Sequence, residues 1–448
     1  MPQLPQQFLD SIKNAPGLQL DAFMQTHATA NKVTSVRLNP FKPATLPFAI
    51  EAPVPWLDSA FYLKERPVFT LDPLFHAGCY YVQEAGSMFL AQAFSQVAKN
   101  QRIATVLDVC AAPGGKSTLL SSLIGEDDLL VCNEVIKNRS LTLASNLSKW
   151  GRKNAIVINQ DVSKLTPALP LFDFVVVDAP CSGSGLFRKQ PEAVDEWHEG
   201  IEIACSVRQK EILRTLVPSL KEDAHLFYST CSYAVQENED IVNWLLNEYD
   251  LEYVPITLNA DWHIFDSGLG YRFYPDQTQS EGFFCALLKK KSGEEFSYPK
   301  KTKANLQSIS LEEASIVKQV ITNEIEPIIK KNNFLYQFSS PVKQFVEHFE
   351  KQFYFRKAGT CIGEIKGRDL IPDHELALSC AISVNLESCE LTLDDAIKYL
   401  RKDALSSFSA RKGFVKITYG GYGIGWAKLL NNRVNNYLPN EARILMQG

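Results

Sequence analysis

From Ala104 onward the chain alternates between short apolar runs and longer stretches with helical spacing. The runs are Thr105-Val106-Leu107-Asp108, Leu129-Leu130-Val131-Cys132, Ala155-Ile156-Val157-Ile158, Phe174-Val175-Val176-Val177 and His225-Leu226-Phe227-Tyr228, with a long helical pattern from Cys205 to Val217 ahead of the last. This alternation predicts a parallel sheet covered on both faces by helices. Phe283 to Leu288 reads as a closing strand, and Lys289-Lys290-Lys291-Ser292-Gly293-Glu294-Glu295 as a linker after it.

The flanks have other rhythms. Before residue 100 the pattern is mixed, with a helical set at Phe8, Leu9 and Ile12, a basic-polar stretch from Ser35 to Pro40, and many prolines. Beyond the linker a helical stretch runs from Glu312 to Lys331. Short Gly- and aromatic-rich strand patterns follow, notably Phe414 to Trp426. The expected division is an N-terminal α/β extension over 1–100, a Rossmann-like catalytic domain over 101–292, a linker and intermediate domain over 293–375, and a small β-rich domain over 376–448. No internal repeat or low-complexity tract interrupts it.

Chemistry concentrates where strands end. Val106 to Ser117 is a strand, a turn of small residues (Cys110, Ala111, Ala112, Pro113, Gly114, Gly115) and a helix start that carries Lys116. Small side chains let a ligand approach the backbone, and a helix N-terminus offers free N–H groups to an anion such as a carboxylate. Glu134 stands twenty positions after Gly114, just past the second strand, where an acid suits the two hydroxyls of a ribose. Asp161 and Asp178 follow the third and fourth strands and place further carboxylates at the same edge. A phosphate-binding loop is the rival, because Gly115-Lys116-Ser117 and Val175-Val176-Val177-Asp178 imitate its two halves. Cys110 stands where that loop needs its first glycine, and Pro113 removes an amide donor.

Two cysteines sharpen the picture. Asp178-Ala179-Pro180-Cys181-Ser182-Gly183-Ser184-Gly185 and Tyr228-Ser229-Thr230-Cys231-Ser232 each put a thiol just beyond a predicted strand, in a polar turn beside carboxylates. Chemistry explains such a pair better than packing does.

Composition changes this little. With 448 residues, 45% hydrophobic and 22% charged, the chain has material for several cores. Neither a secretory leader nor a membrane-length apolar run is evident, and ten cysteines without paired zinc-type spacing fit a reducing cytoplasm. Charge is less neutral in its message. A net charge of −5 argues against nucleic acid, yet from Arg401 to Arg443 eight Lys or Arg (401, 402, 411, 412, 416, 428, 433, 443) face only Asp403 and Glu441. In the same stretch Tyr419, Tyr422 and Trp426 interleave with Lys416 and Lys428, which suits base stacking with phosphate contact, while Trp426 suits the core of a small β-domain equally.

The cofactor turn, Glu134 and the two cysteine segments together resemble the Nop2/Sun (RsmB/NOP) family of RNA 5-methylcytosine methyltransferases. The likeness extends through Ser35 to Pro40, Tyr80 to Met88, Phe187-Arg188-Lys189, Glu237-Asn238-Glu239, Glu281 to Phe284 and Gly425 to Lys428, most of the chain. The last of these is similar to the bacterial branch that modifies small-subunit (16S) ribosomal RNA. Ser184, where the family commonly has an acid, and Lys221-Glu222-Asp223-Ala224, where it often has Pro-Gly-Gly, depart from the pattern.

The resemblance implies a Rossmann-like α/β methyltransferase core with an N-terminal RNA-binding extension and a C-terminal PUA-like domain. It also implies S-adenosylmethionine as cofactor and unpaired RNA or the small ribosomal subunit as partner, for a monomeric cytoplasmic enzyme. Cys231 is then the nucleophile that adds to carbon 6 of cytosine, and Cys181 assists product release. Asp178 stabilises the adduct at the ring nitrogen, and Lys116 is an electrostatic partner of adduct or cofactor. Cys110 to Lys116, Glu134, Arg139, Asp161 and Asp178 make up the expected cofactor set. Two alternatives stay open: a nucleotide-hydrolysing RNA-binding protein and a non-catalytic ribosome-assembly factor.

Overall fold

The computed structural model describes residues 4–29, 32–293, 295–301, 306–322, 327–367, 369–405, 412–431 and 433–446. Two short helices, Gln6–Ile12 and Leu20–Ala28, precede a four-stranded antiparallel sheet. Its strands are β1 (Ser35–Leu38), β2 (Ile50–Val54), β3 (Leu57–Leu63) and β4 (Tyr80–Val82), in spatial order β2-β3-β1-β4. The basic-polar stretch has a structural job here. Arg37 is buried, with its guanidinium 4.5 Å above the Trp150 ring, and donates to Gln83 Oε1 at 3.0 Å and Thr118 Oγ1 at 2.7 Å. That fastens the extension to the helix Gly115–Leu123 behind the cofactor turn.

The five apolar runs form the parallel strands β5 (Thr105–Asp108), β6 (Leu129–Asn133), β7 (Ala155–Ile158), β8 (Phe174–Asp178) and β9 (His225–Thr230). Both faces are covered, and that is why the runs are apolar throughout rather than alternating. On one face lie Leu107, Val131, Ile156 and Val175, and on the other Val106, Leu130, Val157 and Phe174, all essentially inaccessible. The strands β10 (Leu251–Tyr253), β11 (Phe265–Asp266), β12 (Tyr271–Phe273) and β13 (Phe283–Lys290) add antiparallel pairing on the β9 side. Up to β7 the path is β11-β12-β13-β9-β8-β5-β6-β7, and β10 pairs with β13. Strand order reverses between β5 and β8, so the crevice beyond their C-terminal ends is where such a sheet takes its ligand.

Three features depart from the expectations above. The helix expected from Glu312 to Lys331 is Leu311–Val320, opened by a Ser310/Glu313 capping box, and Ile328–Lys331 is a strand. Pro327 separates the two, and proline disfavours helix in the residue before it; residues 323–326 lie outside those described. Lys289 and Lys290 are not linker but the end of β13, and Lys289 pairs with Asp223 at 2.7 Å. Finally, Phe355–Ala358 crosses back to pair antiparallel with β7 as the last strand of the catalytic sheet. Phe338, Val342, Phe345, Phe349 and Phe353 from the same region join the core on the Leu107 face.

The C-terminal unit carries a sheet of Ser388–Glu390, Gly413–Tyr419, Tyr422–Leu429 and Val434–Asn436. It does not stand apart. Val36, Leu63 and Tyr80 of the N-terminal sheet share one apolar cluster with Val415, Ile417, Ile424 and Ala427. Trp426 is buried, and its Nε1 donates to Asp373 O at 2.8 Å. Its fate is core, so it is not a stacking platform. Tyr422 donates its hydroxyl to Pro43 O, a further tie to the N-terminal unit. Arg411 lies outside the described residues. No helix among those described is long and apolar enough to cross a membrane.

Candidate active site

Hydrophobic strands stop in polar turns at the C-terminal edge of the sheet, and the chemistry gathers there. Past β5, Gly114 adopts φ +112°, a conformation that side chains resist, and a Cβ there would stand 3.2 Å from Leu143. This opens the helix Gly115–Leu123 directly after the turn of small residues. Past β6, Glu134 is 2% exposed. Its Oε1 accepts from Ile136 N at 2.8 Å and its Oε2 lies 3.6 Å from Arg139, whose other nitrogen donates to Ala112 O at 2.8 Å. Past β7, Asp161 caps a turn by accepting from Ser163 N at 2.9 Å, and hydrogen bonds from Ser163 hold its carboxyl below the usual range.

A cavity of about 430 Å³ opens between these strand ends and the helix Ile201–Leu216. Cys110, Glu134, Arg139 and Asp161 line it, together with Ile136, Arg208 and Ile212. Ala111 to Gly115 do not line it, and neither do Lys116 and Asp178, which pair with each other beside the cysteines. The expected cofactor set therefore splits into a cavity group and a cysteine group.

The cysteine group is compact. β8 and β9 are paired with Asp178 opposite Ser229, so the turns that follow them lie side by side. Cys181 Sγ and Cys231 Sγ are 3.2 Å apart, both half-buried. Lys116 Nζ lies 2.8 Å from Asp178 Oδ2, and Ser229 Oγ donates to Asp178 Oδ1 at 2.8 Å. Burial alone would pull the Lys116 ammonium down. The Asp178 carboxylate, with Asp108 and Cys231 behind it, more than offsets this, so the lysine holds its proton more tightly than usual. The hydrogen bond with Cys231, added to burial, pushes the Cys181 thiol well above the ordinary range.

Several residues at this edge had no assigned role in the sequence. Asp108 is fully buried beneath the turn, accepts from Ser117 Oγ at 2.7 Å through Oδ2, and leaves Oδ1 without a partner. Burial pushes its carboxyl up to about 7. Glu237 lies under both cysteine turns, and Gln209 of the helix Ile201–Leu216 reaches it. The serine after each cysteine was the available signal for Glu237. Ser184 also acquires a role: its hydroxyl accepts from Tyr233 N at 3.0 Å. An orphaned buried carboxylate oxygen under a helix N-terminus, beside a cavity with an acid at each end, fits a ligand that carries both an amino-acid group and a ribose.

Residues 96–289 match the family described as 16S rRNA methyltransferase RsmB/F. Residues 4–85 match the N-terminal domain of 16S rRNA methyltransferase RsmF, and residues 387–444 the methyltransferase RsmF PUA domain. The chain is 28% identical over 473 residues to ribosomal RNA small subunit methyltransferase F of Psychromonas ingrahamii, covering 98% of this chain and 97% of that one. To the protein of the same name in Shewanella piezotolerans it is 28% identical over 405 residues, 87% of this chain and 85% of that one. A methyltransferase homolog from Pyrococcus horikoshii superposes with a TM-score of 0.54 at 27% identity, over 64% of this chain and 95% of the other. NSun6 from the same organism, solved with SFG, shares the fold at a TM-score of 0.54 and 19% identity, over 64% of this chain and 98% of that one.

Proposed function

Because the chain belongs to the family of RsmB/F 16S rRNA methyltransferases, we propose that it uses S-adenosylmethionine to methylate carbon 5 of a cytosine in small-subunit ribosomal RNA, through a covalent bond between Cys231 and carbon 6. The observation that carries this reading is the thiol pair at 3.2 Å beside the Lys116–Asp178 ion pair. Phosphate hydrolysis has no use for two thiols in contact, and an assembly factor needs neither them nor a buried lysine held charged.

Glu134 holds the ribose hydroxyls of the cofactor, and the turn from Cys110 to Gly115 with the helix behind it holds the methionine portion. Arg139 fixes Glu134, and Asp161 closes the cavity. When bound, the sulfonium supplies an electrophilic methyl group. Everything else falls to the chain. Carbon 5 of cytosine is a poor nucleophile, so the Cys231 thiolate adds to carbon 6, and the electron pair released by that addition enriches carbon 5. The Lys116–Asp178 pair faces the negative charge that develops on the ring and shares a proton toward the ring nitrogen. After carbon 5 is methylated it must lose its proton. The electron pair of that C–H bond re-forms the ring double bond and expels the Cys231 sulfur as thiolate. Cys181, whose sulfur touches that of Cys231, returns a proton to the leaving sulfur or relays the carbon 5 proton through water. The N-terminal extension and the C-terminal PUA-like unit grip the unpaired RNA strand around the exposed base.

Bisulfite sequencing of 16S ribosomal RNA from a strain lacking this protein, with and without the gene restored, tests the reading. One methylcytosine lost and regained is the expected result. An unchanged map would overturn it.

A further inference from the structure

Two turns from different strands rarely hold two sulfur atoms in contact by themselves. Beneath them lies a single carboxylate, that of Glu237, which is fully inaccessible. Its Oε1 accepts from Ser182 N at 2.8 Å and from Gln209 Nε2 at 3.2 Å. The hydroxyls of Ser182 and Ser232 both converge on Oε2 at 2.5 Å and lie 3.0 Å from each other. Ser182 follows Cys181 and Ser232 follows Cys231, so one carboxylate grips the residue next to each thiol. Gln209 extends the grip, because the same Nε2 donates to Pro180 O at 3.0 Å on the other side of Cys181. Behind Cys231, Asn238 Nδ2 donates to Ser232 O at 2.8 Å, and Tyr228 OH reaches both Gln209 Oε1 at 3.0 Å and Glu237 O at 2.6 Å.

We infer that Glu237 is a positioning residue, whose carboxylate locks the Cys181 and Cys231 turns together so that the Cys181 sulfur stays in contact with the sulfur that bonds to the target base. The inference rests on the two-thiol reading of the reaction given above. The energetics favour it. Four donors converge on two oxygens that solvent does not reach, and hydrogen bonds to a buried charge are the strong kind. Burial raises the Glu237 carboxyl, while the Ser182 and Ser232 bonds work to keep it ionised. Gly185 N also donates to Cys231 O at 2.9 Å, and Tyr233 N donates to Ser184 Oγ at 3.0 Å, so backbone N–H groups tie the two loops together as well. Among the described residues, Glu237 is the side chain that bonds to the serine following each of the two cysteines.

Substitution with glutamine keeps the shape and replaces one acceptor oxygen by a donor that faces two hydroxyls. The first measurement does not depend on the reaction. Phenylarsine oxide bridges two thiols only when they lie close together, and mass spectrometry of the peptides carrying Cys181 and Cys231 reads that bridge, with Cys181→Ser as the blank. In the full-length protein Glu237→Gln should weaken the bridge about tenfold, the loss expected when hydrogen bonds to a charged group are removed. The second measurement follows RNA. Glu237→Gln should lower kcat with cofactor affinity unchanged and should accumulate a denaturation-resistant protein–RNA adduct, the outcome also expected of Cys181→Ala. In the Cys181→Ala background it should add nothing, since both changes remove the same service. If Glu237→Gln does not fold, Glu237→Asp, which keeps the charge and shortens the reach, supplies the same comparison. A folded variant that retains the arsenical like the native protein overturns the inference. Loss of the bridge with no adduct in any variant leaves Glu237 as the lock and removes the covalent reading instead.

Discussion

At the C-terminal edge of the catalytic sheet three buried ionisable side chains are each matched: Lys116 against the half-buried Asp178, Glu134 against the exposed Arg139, and Glu237 against two serines and a glutamine. On the outer strands of the C-terminal unit they are open and unmatched in sign. Lys412, Lys428 and Arg433 border one groove with Leu429, Leu430 and Asn431, and among the described residues no carboxylate borders it with them. Both regions use the same few residue types for different ends. A buried charge acts at contact distance and is already stripped of water, so it serves bond making and is hardly screened. An exposed cation acts over several ångströms, is screened by salt, and serves the capture of a polyanion. If that division is right, substitutions at the sheet edge change chemistry or cofactor binding and ignore ionic strength, and substitutions in the groove do the reverse.

The largest effect should come from the thiols. Cys231→Ala should lower methylation by at least about 10³-fold and abolish the covalent RNA adduct, because without addition at carbon 6 the acceptor carbon never becomes nucleophilic. Cys181→Ala should trap the adduct on a denaturing gel. An adduct from Cys231→Ala and none from Cys181→Ala would exchange their roles, and near-normal turnover of Cys231→Ala would remove covalent catalysis by this residue.

Next comes Asp108, through pH. Its buried carboxyl sits at about 7 against 3.8 when exposed, so the fold prefers it protonated. Between about pH 4 and 7 the unfolded chain has released this proton and the folded chain retains it, so its contribution to stability is lost as pH rises through that window. Asp108→Asn cannot titrate. The stability of the native protein relative to this variant should fall by about 2–4 kcal/mol across the window, read by denaturant melts without cofactor. Parallel pH profiles would mean that Asp108 is not the buried titrating group assumed here.

How much of this was legible in the sequence follows from what each feature depends on. β5 to β9 were readable because strands buried on both faces must be continuously apolar, and the carboxylates and cysteines were readable because each stands directly after such a run. The thiol–thiol contact needed only the inference that neighbouring strands end side by side. Glu237 was quoted among the family segments without a role, since its grip depends on two turns meeting in three dimensions. Likewise, nothing in Phe355-Arg356-Lys357-Ala358 announces an edge strand, because its partner β7 lies far back in the chain. The cluster shared by Val36 and Ile417 was equally hidden. These long-range contacts also rule out deleting everything after Lys291 as a test of RNA affinity. Such a cut removes Phe345 and Phe349 from the catalytic core, and each buried ring is worth about 3–5 kcal/mol.

A smaller and purely local loss is expected at Glu134. Truncation to alanine removes the acceptor proposed for the ribose hydroxyls, worth about 1.5–3 kcal/mol, or roughly 10- to 150-fold in cofactor affinity by calorimetry. RNA affinity and its salt dependence should not move. If cofactor affinity is unchanged, the buried carboxylate serves only to hold Arg139 and the following turn.

The smallest effects belong to the groove, and they carry the other half of the comparison. Lys428 sits with its ammonium 5.0 Å above the Phe414 ring, and Arg433 is exposed beside it. Among the described residues neither faces a carboxylate in the groove, so each can displace a counterion from an RNA phosphate. Lys428→Ala and Arg433→Ala should each weaken RNA binding by only a few-fold near physiological salt, and each should reduce the slope of log affinity against log salt by about one. Turnover at saturating RNA should be unaffected, because the groove lies on the C-terminal unit and not on the strands that carry the thiols. Fluorescence anisotropy with a labelled single-stranded RNA over a range of salt concentrations reads the slope directly. A double variant whose slope matches the native one would assign RNA capture to another face. If the slope is lowered together with kcat, the two regions are not independent, and the shared cluster between the N-terminal and C-terminal sheets would be the place to look for their coupling.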